Sequence, residues 1–284
     1  MTLLSNDLKQ GTKILHAEAG RSKFMKYFFK GEVTMETYGR FLISLYQVYN
    51  ALEKALNEHK DNPAIALIYF PEEVFRLPAL VEDIEFFNGP NWRDMLVPVT
   101  PGQQAYISAI ERCASSQTPE LLVAHAYTRY LGDLSGGQVL AKRLQKYNDL
   151  PDDKGAAFYE FGLIEDNNQF KELFRKRLNQ IEVSEELHQQ IVEEAKEAFL
   201  RNIDLFEEFD SELEGLPMTA KEQEQVLVDL EIEKSRLQAQ DIARKQAQQP
   251  STSAANNGSV WSSLMPTALF TSLFSSSGQE GVEA

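Results

Sequence analysis

The sequence predicts an all-α fold, with one helical domain over residues 1–215. Apolar residues recur at helical spacing through the first 213 residues, and no run of four or more alternating residues reads as a strand. The punctuation is also that of helices: Thr100-Pro101 and Thr118-Pro119 each place a capping hydroxyl before a proline at the first helical position.

In chain order, MTLLSNDLKQ runs directly into helix-forming sequence, with no basic stretch and long apolar run of a secretory signal. Tyr38, Phe41, Leu42, Leu45, Tyr46, Tyr49, Leu52 and Leu56 form one stripe of a helix capped by Thr34 and stopped at Asn62-Pro63. Breaks follow at Asn88-Gly89-Pro90 and Leu150-Pro151. A helix over Asn167 to Asn179 is expected to turn Phe170, Leu173, Phe174 and Leu178 inward. A long last helix from Ser184 carries Ile191, Ala195, Phe199, Asn202 and Phe206 inward as far as Leu213, and Gly215 and Pro217 end it. This makes about seven helices without an internal repeat. Residues 216–249 read as a charged helix or weak coiled coil, with Leu227, Leu230 and Leu237 as a thin apolar stripe. Residues 250–284 read as a flexible tail. Its apolar segment, Val260 to Phe274, falls short of the ~20 residues that cross a bilayer, so it is either a disordered end or a peripheral membrane or partner contact.

The formal charge of -15 opposes nucleic-acid binding, which needs clustered Lys and Arg. A single cysteine, Cys113, forms no intrachain disulfide and points to a reducing, cytoplasmic setting.

Gly132, Gly136 and Gly137 interrupt what otherwise reads as one long helix, AHAYTRYLGDLSGGQVLAKRLQK. Each interior glycine costs about 1 kcal/mol relative to alanine, so the three together cost roughly 3 kcal/mol. Either another helix packs closely there, or a flat ligand lies against a bent helix; spacing alone does not decide. The stretch Ala126 to Gln138, AYTRYLGDLSGGQ, resembles the distal-helix motif of heme oxygenases. The resemblance extends through Phe24-Met25, Ser44-Leu45-Tyr46, Tyr69 to Glu73, Lys171 to Asn179 and Glu193 to Asn202, over about the first 210 residues.

What the resemblance implies is a haem sandwiched between a proximal helix and a kinked distal helix. Haem iron takes an axial imidazole, and the candidates are His16, His59, His125 and His188. His125 shares a face with Arg129, Gly132 and Gly136, so spacing alone leaves it open. The family relation to the Phe24-Met25 pair favours His16, and Lys9, seven residues earlier and about 10 Å away by helical rise, suits a propionate. His59 and His188 read as solvent-exposed, and His125 also reads as a packed core residue. Lys171 and Arg175, one turn apart, can both address carboxylates. The family match joins them with Lys9 and Tyr127 as propionate partners; the plainer alternative is a solvated basic face. Asp133 matches the family's proton-relay carboxylate, with Arg129, Tyr49, Tyr106 and Asn202 at the matching network positions. Gly132, Gly136 and Gly137 match the backbone that meets the haem.

Two positions depart from close relatives. Gly20 replaces a Glu that bonds the proximal imidazole, and Phe75 replaces a histidine of the distal network. The implied activity is opening of haem, as both substrate and cofactor, to biliverdin with release of ferrous iron and carbon monoxide. It uses dioxygen and electrons from NADPH through a separate cytochrome reductase, since no dinucleotide fingerprint follows a strand. The implied setting is the cytoplasm or the cytosolic face of the endoplasmic reticulum, with biliverdin reductase downstream.

Overall fold

The computed structural model describes residues 2–148, 150–151 and 154–213, together with the isolated positions Val228, Ile232 and Ser235, which are helical and exposed. The chain divides into residues 1–240 and 241–284. Apart from those three positions, the expectations for residues 216–249 and the tail at 250–284 lie outside the described residues.

Among the described residues there is no strand. The helices are α1 (Leu4–Gly11), α2 (Lys13–Arg21), α3 (Lys23–Lys30), α4 (Met35–Glu58), α5 (Pro63–Ile68), α6 (Pro71–Val74), α7 (Leu77–Asn88), α8 (Pro101–Ser115), α9 (Leu122–Gly132), α10 (Gln138–Asn148), α11 (Asn167–Leu178) and α12 (Glu185–Glu207). They outnumber the expected seven because Pro63 and Pro71 start short helices and Ser22, whose hydroxyl accepts from Met25 N–H, starts another. The break at Thr12 is slight. Its backbone stays right-handed, its N–H reaches Leu8 O at 3.1 Å and its O accepts from His16 N–H at 2.9 Å.

The caps largely follow the sequence. Thr34 accepts from Thr37 N–H, Ser184 accepts from Leu187 N–H, and Thr100 closes a capping box with Gln103; each such cap contributes about 1 kcal/mol. Thr118 is the exception: its side chain caps nothing, and it precedes a 3₁₀ turn over Pro119–Leu121.

Two helices organise the core. Helix α4 buries Tyr38, Leu42, Leu45, Val48, Tyr49 and Leu52 against α7 and α8, each apolar side chain contributing about 1.5–3 kcal/mol. Helix α12 packs against α1, α2, α8 and α9, so it holds the first helices beside the glycine-rich segment. The approach is close: a Cβ on Gly11 would lie 2.6 Å from Val192 Cγ1. On α11, Phe174 and Leu178 are buried as expected, whereas Leu173 is 40% exposed and Lys171 is buried in its stead. Position 173 lies a residue off the inward stripe of 170, 174 and 178.

Candidate functional site

A cleft opens between α2–α3, α4, α9–α10 and α12, with about 960 Å³ of atom-free space including its mouth. Phe24, Phe28, Phe41, Leu45, Phe199 and Phe206 line its apolar walls. The long α9–α10 segment reaches it in two right-handed pieces joined by a π-helical turn, Asp133–Gly137. One extra residue in that turn bends the helix.

The glycines of this segment play different parts. A Cβ added to Gly132 or Gly136 would meet nothing within 4 Å, although both line the cleft. Among the described residues no other helix packs there, so of the two explanations that spacing left open close helix packing does not apply at Gly132 and Gly136, and the space beside them is open. A Cβ on Gly137 would lie 3.0 Å from Tyr159 Cδ1, so that glycine admits a neighbouring side chain.

His16 is exposed at the cleft wall on α2, its ring edge-on to Phe199 at 5.8 Å between centroids. Asp133 is buried on the π-turn wall. Tyr49 donates its hydroxyl to Asp133 Oδ2, and Arg129 donates Nη2–H to Asp133 Oδ1 at 3.3 Å and Nε–H to Tyr49 at 3.1 Å. Arg129 Nη1 also donates to Asn202 Oδ1, and Asn202 donates to Tyr106 at 3.3 Å and to Ala198 O at 2.9 Å. Burial raises the Asp133 carboxyl above its usual range, against the pull of Arg129 and the Tyr49 hydroxyl. It also lifts Tyr49 well above its usual value and Tyr106 to about 12. For Arg129 burial acts against the charge, but Tyr49 and Asp133 outweigh it and hold the guanidinium protonated.

The cleft thus brings together His16, Arg129, Gly132, Asp133, Gly136 and Gly137, with Tyr49 behind Asp133. Lys9, Tyr127, Lys171 and Arg175 do not line it. Lys9 is exposed on α1. Lys171 donates to Ser135 on the π-turn at 3.2 Å. Tyr127 is half-buried; burial raises its hydroxyl, while nearby Arg175 and a hydrogen bond with Thr12 lower it. Arg175 itself is exposed.

Of the other histidines, His125 is fully buried, with Nε2 at 3.0 Å from Glu194 Oε1. His188 corrects an expectation. It is 5% exposed and pairs with Asp7 Oδ2 at 2.9 Å, because α12 carries that face against α1. His59, at the C-terminal end of α4, is half-buried.

Sequence reasoning missed Glu53 and Arg76. Glu53 Oε1 accepts from Arg76 N–H at 2.5 Å, and burial pushes its carboxyl up to about 7. The Arg76 guanidinium, whose pKa burial lowers, sits 4.2 Å over the Phe161 ring and donates to Glu160 O at 2.7 Å. Phe75, the departure beside it, stacks on Tyr130 at 6.4 Å. A buried pair 23 residues apart leaves no periodic trace. Phe158 and Tyr159, which also line the cleft, come from a 3₁₀ turn held by Asp83, which accepts from Ala157 and Phe158 N–H.

The profile of the heme oxygenase family matches residues 2–208. Heme oxygenase 1 of Homo sapiens is 47% identical over 206 residues, covering 72% of this chain and 71% of that protein; the Rattus norvegicus protein is 47% identical over 209 residues, 73% and 72%. Among solved structures, heme oxygenase-1 of the cyanobacterium Synechocystis, in complex with heme, is similar with a TM-score of 0.71 and 41% identity, covering 75% of this chain and 94% of that one. Heme oxygenase from Leptospira interrogans is similar at 0.69 and 40%, covering 73% and 100%. The chain belongs to the heme oxygenase family.

Proposed function

We propose how this chain divides the work of oxidative haem opening, the reaction of its family, which yields biliverdin, ferrous iron and carbon monoxide. The observation that carries the reading is the open space beside Gly132 and Gly136 within an aromatic cleft. A planar macrocycle needs apolar walls and a backbone without side chains. When bound, haem supplies dioxygen activation and the carbon that is oxidised. His16, which lines the cleft from α2, would hold the haem iron through its imidazole. Gly20, on the same wall, offers no side-chain acceptor to tune that imidazole.

On the distal wall Asp133 orders water and passes protons, while Arg129 and Tyr49 hold its carboxylate in place. Lys9, Tyr127, Lys171 and Arg175 would hold the propionates outside the part of the cleft that the apolar walls enclose. For Lys171 and Arg175 the support is their position on α11, from which Lys171 reaches the π-turn. Electrons come from outside the chain, from an NADPH-dependent flavoprotein cytochrome reductase, and biliverdin reductase takes the product. The proposed setting is the cytoplasm or the cytosolic face of the endoplasmic reticulum. Among the described residues no helix is long and apolar enough to cross a membrane, and the Val260 to Phe274 segment lies outside them.

The test is a ferric-haem absorption titration of the full chain, His16→Ala and His125→Asn, each checked for folding by circular dichroism. His16→Ala loses the imidazole-ligated spectrum and His125→Asn keeps it. The reverse pattern overturns the ligand assignment.

A further inference from the structure

Away from the cleft, Cys113 on α8, His125 on α9 and Glu194 on α12 meet in the interior. All three are buried, and one ligand atom from each lies within 4.8 Å of the others. His125 Nε2 is 3.8 Å from Cys113 Sγ and 3.0 Å from Glu194 Oε1. Around a tetrahedral zinc ion the corresponding edges are roughly 3.5 Å for sulfur to nitrogen and roughly 3.4 Å for nitrogen to oxygen, from bond lengths of about 2.0–2.3 Å. The two measured edges are therefore within a few tenths of an ångström of those of a metal tetrahedron, and the third, from Cys113 to Glu194, is within 4.8 Å.

We propose that Cys113, His125 and Glu194 bind one divalent cation of the zinc class. The donor set is mixed: a thiolate, an imidazole and a carboxylate suit zinc or cobalt better than magnesium or calcium, which take oxygen ligands.

A second observation supplies the access. Glu194 also lines an open surface groove with Glu186, Glu193, Glu197 and Arg112. The groove leads from solvent to the buried carboxylate, and its carboxylates draw a cation inward. A water from the groove completes the fourth position.

Arg112 stands at the inner end. Its Nη2 donates to Glu194 Oε1 at 2.8 Å and Oε2 at 2.9 Å, from a side chain 57% exposed. It neutralises the carboxylate in the empty site and, on metal binding, keeps Oε2 or swings out. The bound state has one weakness. His125 Nδ1 is buried without a hydrogen-bond partner among the described residues. When the metal takes Nε2, the proton on Nδ1 has no acceptor, and loss of such a partner typically lowers metal affinity about 10–100-fold. This is an exchangeable site rather than a permanent structural one. Its occupancy ties together α8, α9 and α12, one helical turn before Arg129.

Cobalt(II) titration of the haem-free full chain, after chelator treatment and under a phosphine reductant, tests the proposal. Cys113 is the only cysteine in the sequence, so a thiolate-to-cobalt charge-transfer band can arise only there. One cobalt per chain with this band, displaced by zinc, is the expected result. Cys113→Ser abolishes the band, Glu194→Gln weakens cobalt binding at least tenfold, and Arg112→Met tightens it several-fold by removing a competing cation. Absence of the band at millimolar cobalt, or binding indifferent to Glu194→Gln and Arg112→Met, overturns the site. Arg112→Met keeps all three ligands, so its outcome decides even if a ligand variant fails to fold.

Discussion

If Gly132 and Gly136 are glycine to leave room for a macrocycle, filling that room moves stability and binding in opposite directions. Take Gly136. A Cβ there meets nothing within 4 Å, so Gly136→Ala incurs no clash in the haem-free protein and gains helix propensity of about 0.8–1 kcal/mol. For a domain of this size that raises the melting temperature by about 2–4 °C. Gly136→Leu extends into the same space, where a bound ring would have to be displaced or overpacked at about 1–3 kcal/mol. That corresponds to roughly 5- to 150-fold weaker binding. Gly137→Ala is the control: its Cβ would sit 3.0 Å from Tyr159 Cδ1, and this contact offsets the propensity gain. The assays are thermal melts of the haem-free variants by circular dichroism and ferric-haem titrations by absorption. Gly136→Ala melting below the parent would mean that the glycine serves packing after all. Undiminished haem binding by Gly136→Leu would remove the cleft as the haem site.

Two further outcomes follow from the buried acids. Asp133→Asn keeps the shape of the side chain but cannot relay a proton, so haem still binds while single-turnover ring opening slows by about 10²–10⁴-fold; a rate within twofold of the parent would refute the relay role. Glu53, pushed up from 4.5 to about 7, favours its protonated form in the fold. Its contribution is therefore fully present below pH 4.5 and is lost as pH rises through about 7. Glu53→Gln should remove that loss, on the order of 3 kcal/mol. Urea denaturation at several pH values reads it as a parent-minus-variant difference growing between pH 5 and 8, and a flat difference would contradict the assignment.

What the sequence made legible follows from range. Caps and stripes are local: Thr34, Thr100 and Ser184 accept from the third residue after each, and the α4 stripe buries as its period says. The glycine triplet was visible as an anomaly, but its meaning was not, because Gly137 faces Tyr159 from a loop while Gly136 has no neighbour within 4 Å among the described residues. His188 was misread for the same reason. Its burial depends on Asp7, 181 residues away. The Lys171 reading was half legible: a charged flank by periodicity, yet held against Ser135 once α11 docks. Arg129, Tyr49, Tyr106 and Asn202 were reached through the family resemblance, since their hydrogen bonds join α4, α8, α9 and α12.

The pKa shifts in that network separate its fixed donors from its acid. Tyr49 and Tyr106 are driven far above neutrality by burial, so they stay protonated and serve as fixed donors. Arg129 stays charged because Tyr49 and Asp133 outweigh its burial. Asp133 is the acid of the four: burial raises its carboxyl from the usual value while Arg129 and the Tyr49 hydroxyl pull it down, and passing protons is the role proposed for it. Burial without a cation would leave the acid inertly protonated, and a cation without burial would leave it inertly ionised. In Asp133 the two influences act together, since burial in the π-turn raises the carboxyl and the Arg129 contact opposes that rise.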